Sequence, residues 1–324
     1  MSITTTDRIA GCLQGIATGD AVGKQTETLS RDGLQRWYPN GIRGFEGQPG
    51  TIIPRYAGNS RHEWRVGETT DDTERTLAVA RAIVADRRVS HVSVGREMLG
   101  CRKSVHPGVK SLWEFHQAGD PARVAVGHDG CGAAIRVAPV GILHRSESLN
   151  ELVHDAHAAS IPTHGGGLAI AAAAATAAAV SAAIDARPCD EVLGLAGQAA
   201  GQAEARWGLA SAPSVAAAIV AVHDHLAALP VLSAEEVATR CFPNRPLTIV
   251  PLAISLATLM RSAEAAILLA ANVGGDSDSV ASIAAGILGA MYPATVNRHW
   301  HDVVERVNKH DLATVARQLT PLRH

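Results

Sequence analysis

Hydrophobic positions in this chain recur at the three-to-four-residue spacing of helices, and runs that alternate apolar with polar side chains are few. Alanine-rich apolar stretches are separated by clusters of Gly, Pro, Asn and Asp, the residues that punctuate helices. The pattern predicts helices over 7–23, 71–86, 90–100, 149–159, 166–186, 190–205, 213–228, 234–240, 248–271, 278–291 and 296–319, with Pro230, Pro243 and Pro246 marking late breaks. Along the helix over 71–86, Leu77, Ala80, Ile83 and Val84 make the side that faces a core. An all-α architecture follows. The first helix carries Gly11, Gly15, Gly19 and Gly23 at a spacing of four, so a nearly bare face invites the close approach of another backbone or a ligand. From Leu29 to Gly67 the period is lost among Gly, Pro, Arg and Asn, which predicts a long irregular connection; such loops in compact domains tend to carry function.

Composition narrows the class. Hydrophobic residues make up 47% of the 324 and charged residues 19%, enough apolar surface for a buried core. The formal net charge of -2 provides no field that would draw the chain to nucleic acid or anionic lipid, so small-molecule chemistry is the expectation. Cys12, Cys101, Cys131, Cys189 and Cys241 include no CxxC pair, and their odd number cannot all close into internal disulfides. They read as free thiols in a reducing compartment, and the N-terminus has no basic start or apolar run of a secretory signal; a cytoplasmic location is expected. The uncharged run from Leu168 to Ile184 is short for a membrane span and mostly alanine, and is expected to be an interior helix. Neither a fixed-period repeat nor a domain boundary is visible, so residues 1–324 are read as a single domain.

Two acidic blocks stand out. Gly67-Glu68-Thr69-Thr70-Asp71-Asp72-Thr73-Glu74 puts adjacent carboxylates and hydroxyls where a loop enters a helix; taken alone, Asp71 with Glu74 also fits a capping box. Gly274-Gly275-Asp276-Ser277-Asp278-Ser279 repeats the arrangement, its twin glycines allowing a tight turn and the close approach of a ligand or ion. A solvated turn would also explain the second block by itself. Together the blocks offer Thr70, Asp71, Asp72, Asp276, Asp278 and Ser279, an all-oxygen set suited to a hard divalent cation rather than zinc. His223-Asp224-His225 supplies too few ligands for a zinc site and reads as a helix surface.

These two blocks resemble the signature of the ADP-ribosylglycohydrolase family, which includes dinitrogenase-reductase-activating glycohydrolase and the ADP-ribosyl-acceptor hydrolases. Three further segments agree in order: Gly15 with Gly19-Asp20-Ala21 and Gly23, followed by Glu27; Gly132-Ala133-Ala134-Ile135-Arg136-Val137-Ala138-Pro139; and Thr163-His164. The resemblance implies a compact, orthogonal multi-helix bundle with two magnesium ions in a cleft, manganese being an admissible substitute. It makes Thr70, Asp71, Asp72, Asp276, Asp278 and Ser279 the ligands, places Glu27 on a mobile loop over the site, and turns Gly130 to Ala134 toward ADP-ribose, with Gly130, Cys131, Gly132, Ala133 and His164 on the substrate side. Cys131 stands where many relatives have asparagine, and Ser277 and Ser279 replace common threonines. Residues 41–65 have no counterpart in the pattern.

The implied activity is hydrolysis at ribose C1 of an ADP-ribosylated protein or an ADP-ribose-containing small molecule, with Glu27, Asp71 and Asp72 as catalytic residues and Glu27 or Asp72 handling protons. Two alternatives share the fold: a phosphatase for ADP-ribose phosphate or a nucleosidase-like hydrolase, and a catalytically silent ADP-ribose-binding protein. A haloacid-dehalogenase-type DxD is disfavoured, since it would end a strand of an α/β fold.

Overall fold

Thr4 opens the first helix, α1 (Thr5–Gly23): its hydroxyl accepts from the Asp7 N–H at 3.1 Å, and the Asp7 carboxylate accepts from the Thr4 N–H at 2.9 Å. This reciprocal cap starts the helix ahead of residue 7, where periodicity alone would begin it. The computed structural model describes residues 3–57, 60–103, 124–208 and 211–324. After α1 come α2 (Arg31–Trp37), a hairpin of β1 (Ile52–Ala57) and β2 (Ser60–Arg65), α3 (Asp71–Asp86), α4 (His91–Met98) and a 3-10 turn (Cys131–Ala133). The later helices are α5 (Ala138–Leu143), α6 (Leu149–Ser160), α7 (Gly167–Ile184), α8 (Cys189–Trp207), α9 (Val215–Ala227), α10 (Ala234–Arg240), α11 (Pro246–Leu259), α12 (Ala263–Val273), α13 (Ser277–Met291), α14 (Arg298–Asn308) and α15 (Leu312–Leu319). The protein is all-α, as its periodicity predicts; among the described residues the hairpin is the only sheet.

At the centre lies α7. Every residue from Ala169 to Ile184 is buried, and α5, α6, α8, α11 and α13 pack around it. Alanine makes this possible because a helix carrying mostly methyl groups can be approached on all sides. It is the one described helix long and apolar enough to cross a membrane, and 89% of it is buried within the protein.

Beside α7 run α1 and α13, joined along the glycine face. A Cβ on Gly11 would meet the Gly289 carbonyl oxygen at 2.2 Å, one on Gly15 the Ala285 oxygen at 2.1 Å, and one on Gly19 the Ala281 oxygen at 2.4 Å. Of the two guests the glycine spacing admits, a backbone occupies the face. The last step of the seam is Gly23, whose added Cβ would sit 2.6 Å from the Asp278 Cα, so the seam ends at the second acidic block.

Four local readings need correction. Residues 29–67 are not irregular throughout: Ser30 caps α2 by accepting from the Gly33 N–H at 3.1 Å, and β1 pairs antiparallel with β2 from Ile52 opposite Arg65 to Ala57 opposite Ser60. The hairpin tip, 58–59, lies outside the described residues. The predicted 248–271 helix is two, because Ser262 starts a new one with its hydroxyl on the Ala265 N–H while Arg261 binds the Thr258 and Met260 carbonyls that end α11. Likewise 296–319 breaks at Lys309 and Asp311, whose φ values of 58° and 52° are left-handed and incompatible with a continuing helix. Short α5, with proline in its first turn, escaped the periodicity altogether.

Candidate active site

Helix α3 begins at the first acidic block, and Thr70 caps it: its Oγ1 accepts from the Asp72 N–H at 3.1 Å. The capping box open to Asp71 and Glu74 does not form. Glu74 instead accepts the Arg102 and Lys103 N–H groups, and Asp71 lies 3.3 Å from the Arg75 guanidinium. Both adjacent aspartates are thereby released from capping. The turn is held from beneath by Asp20 of α1, which is fully buried and accepts from the Thr70 N–H, the Thr73 N–H at 3.1 Å and the Thr73 hydroxyl at 2.5 Å. Burial pushes its pKa up to about 6, although these hydrogen bonds oppose the rise.

The second block opens α13. Gly274 and Gly275 both have positive φ, and a Cβ there would collide with the Leu29 oxygen at 2.6 Å or the Pro243 oxygen at 2.3 Å. The glycines thus make room for backbone: Thr28 N–H donates to the Gly275 oxygen at 2.7 Å, and Gly275 N–H to the Leu29 oxygen at 2.9 Å. This stitching carries Glu27 to the start of α13, where its carboxylate, that of Asp276 and that of Asp278 converge with oxygens within 4.8 Å of one another.

The two blocks meet. Asp71 and Asp72 from one, Asp276, Asp278 and Ser279 from the other, and Glu27 line a single cavity of about 380 Å³. Thr70 is buried at the same turn, beside Asp71 and with its Oγ1 on the Asp72 N–H. Asp72 accepts from the Ser282 hydroxyl at 3.1 Å, which ties the α3 start to α13. Burial raises the Asp72 pKa well above the carboxylate range, and the charges of Asp20, Asp71, Asp276 and Glu27 add to the rise. Asp278 is raised well above it too, by burial and then by Glu27, Asp72 and Asp276. Carboxylates that repel one another at a buried point, with hydroxyls as the other oxygen donors, fit a hard divalent cation.

The facing wall is the Gly130–Gly132 turn. Thr163 Oγ1 lies 2.7 Å from His164 Nδ1 and fixes the imidazole under that turn, so tightly that a Cβ on Gly132 would meet His164 Cε1 at 2.6 Å. Arg136 secures it from behind, donating to the Gly132 oxygen at 2.7 Å and to the Ala159 and Ser160 carbonyls. Cys131 donates its S–H to Asp276 Oδ2 at 3.2 Å, and burial with the Asp276 and Asp72 charges raises its pKa, which keeps it a thiol. Gly130, Cys131, Gly132 and His164 line the cavity; Ala133 is buried away from it.

Sequence reasoning missed several participants. Arg75 and His128 bring basic groups to the cavity, the latter on a left-handed backbone with φ 68°. Asp129 lines it while accepting the Leu168 and Ala169 N–H groups that open α7. Lys24 contacts Glu27 and lies 3.9 Å from Asp278. Only Arg75 had a readable signal, its i,i+4 spacing from Asp71.

An acidic cleft between two helix starts in an all-α fold, walled by a glycine turn, defines a hydrolase of the ADP-ribosylglycohydrolase type, and the chain belongs to the ADP-ribosylglycohydrolase family, whose sequence model matches residues 1–324. It is 26% identical to an uncharacterized protein of Archaeoglobus fulgidus over 95% of each chain. It is 28% identical to the uncharacterized protein YegU of Escherichia coli K12 over 89% of this chain and 88% of YegU. A solved structure described as an ADP-ribosylglycohydrolase-related protein complex shares the fold with a TM-score of 0.70 at 21% identity, over 99% of both chains.

Proposed function

We propose that this protein is a magnesium-dependent glycohydrolase that cleaves the bond at ribose C1 of an ADP-ribosylated protein or an ADP-ribose-containing small molecule, acting as a single domain. The observation that carries the reading is the convergence of Glu27, Asp276 and Asp278 on one point of a cavity that Asp71 and Asp72 also line. Two magnesium ions, or manganese in their place, would be held by Thr70, Asp71, Asp72, Asp276, Asp278 and Ser279. Once bound they would supply positive charge that orients the ribose hydroxyls and lowers the pKa of a nearby water.

The chain's own groups supply the remainder. Water adds its oxygen to C1 as the bond from C1 to the acceptor nitrogen or oxygen breaks, and the leaving group takes a proton. Glu27, only partly buried at 23% side-chain exposure, or Asp72 takes the proton from water and returns it to the acceptor. Gly130, Cys131, Gly132 and His164 form the substrate side, with Ala133 buried next to Gly132; the bare glycines let a phosphate reach the backbone, Arg75 offers positive charge beside it and His128 a ring nitrogen.

A panel of ADP-ribosylated arginine, serine and DNA, together with free ADP-ribose derivatives, tests the reading with and without magnesium. Magnesium-dependent release of ADP-ribose from at least one substrate is expected. Inorganic phosphate as the sole product would replace the reading with a phosphatase, and calorimetric binding of ADP-ribose with no product from any substrate would replace it with a silent binder.

A further inference from the structure

Beside the carboxylate cluster sits a basic side chain that no metal-binding scheme requires. Lys24 caps the C-terminal end of α1, its N–H donating to the Asp20 carbonyl at 2.9 Å, and its ammonium contacts Glu27 and lies 3.9 Å from Asp278 Oδ2. Glu27 and Asp278 are two of the three carboxylates that converge within 4.8 Å. The ammonium also lies 5.7 Å from the ring centroid of Trp64, in β2. Trp64 is 8% exposed, so among the described residues its ring is a buried aromatic surface within reach of the Lys24 ammonium.

We propose that Lys24 is a built-in competitor for the cation of the Glu27/Asp276/Asp278 cluster, and that Trp64 provides the seat onto which its ammonium withdraws when a divalent cation binds. The inference rests on the metal reading above and adds a determinant of metal affinity. A monovalent ammonium near two ligand carboxylates satisfies part of their charge, and a divalent cation must overcome both that attraction and the repulsion between like charges. The face of tryptophan attracts an ammonium more than other aromatic faces do, so the seat lowers the cost of withdrawal. Residues 41–65, which carry none of the signature segments, thereby acquire a link to the active site through Trp64.

Calorimetric titration of the full chain with Mn2+ alone tests this without any turnover. Lys24→Met is expected to bind Mn2+ at least about tenfold more tightly than the unaltered protein, because a full positive charge beside the cation is gone. Lys24→Arg keeps the charge and should show no such gain. Trp64→Phe is expected to weaken Mn2+ binding about threefold when Lys24 is present and to change nothing in the Lys24→Met background. Unchanged or weaker binding in a folded Lys24→Met protein overturns the competitor role, and equal effects of Trp64→Phe in both backgrounds overturn the seat. If the unaltered protein binds no Mn2+, or if Asp278→Asn binds it as well as the unaltered protein does, the metal reading itself falls.

Discussion

The two ends of the α1–α13 pair use the same helices for opposite purposes. Along the seam from Gly11 to Gly19, glycine removes side chains until carbonyl oxygens of α13 would lie 2.1 to 2.4 Å from an added Cβ. A turn beyond Gly23 the pair opens into the acidic cavity, where burial and mutual repulsion raise Asp72 and Asp278. The seam is close packing that favours the fold; the cleft is a concentration of charge that opposes it. The difference teaches that the rigid half of the pair is what holds the strained half in place.

If that contrast is right, mutations at the two ends should move stability in opposite directions. The largest effect falls at the cleft: Asp278→Asn should lower turnover of the best substrate on the order of 10²–10³-fold. In metal-free protein, at a pH high enough to ionise the cluster, the same change should raise the thermal midpoint, since one of several like charges is removed; a lower midpoint would break the comparison. Next, Gly15→Ala should cost about 3 kcal/mol in urea unfolding, because the obstruction is the Ala285 carbonyl and not a movable side chain. Alanine would otherwise favour a helix, so a neutral result would mean that the seam is loose.

A perturbation away from both ends sharpens the contrast. His157, stacked on Trp207 with ring centroids 4.1 Å apart, and His310, 2.9 Å from the Thr69 hydroxyl, are both held down to a pKa of about 4 chiefly by burial, from an ordinary 6.5. The unfolded chain therefore binds protons first on acidification. Their contribution to stability is full above pH 6.5 and is lost as the pH falls toward 4, against the opposite contribution of the raised acids Asp20, Asp72 and Asp278; replacing both histidines with glutamine should therefore make the protein more stable at the acidic end of that window, relative to its stability above pH 6.5, than the unaltered protein is, as thermal melts across the window would show. The smallest effect is the control: Gly194→Ala, where nothing lies within 4 Å of the new Cβ, should stabilise α8 by about 0.5–1 kcal/mol.

Much of this arrangement was legible beforehand. Helix α3 matches the predicted 71–86 and α10 the predicted 234–240, because capping residues and the apolar period agree there. Where the apolar period ran on through a break, as at Met260 to Ser262, two helices merged into one prediction although Ser262 was a readable cap. The hairpin was missed because β1 and β2 lack apolar alternation, and a strand pair held by cross-strand backbone bonds leaves little trace in either strand alone. Asp20 read as part of a motif, but nothing local shows that its carboxylate supports a turn about fifty residues away.

By itself, the sequence determined most of the helices, the bare face of α1, the family and which residue types are available for chemistry, since each depends on spacing within one segment. Only the tertiary structure decided that a backbone fills the glycine face, that Thr70 rather than Asp71 caps α3, and that Lys24 and Arg75 stand among the acids. Those outcomes depend on which segments meet, and meeting is fixed by packing over the whole chain, which separation along the sequence does not decide.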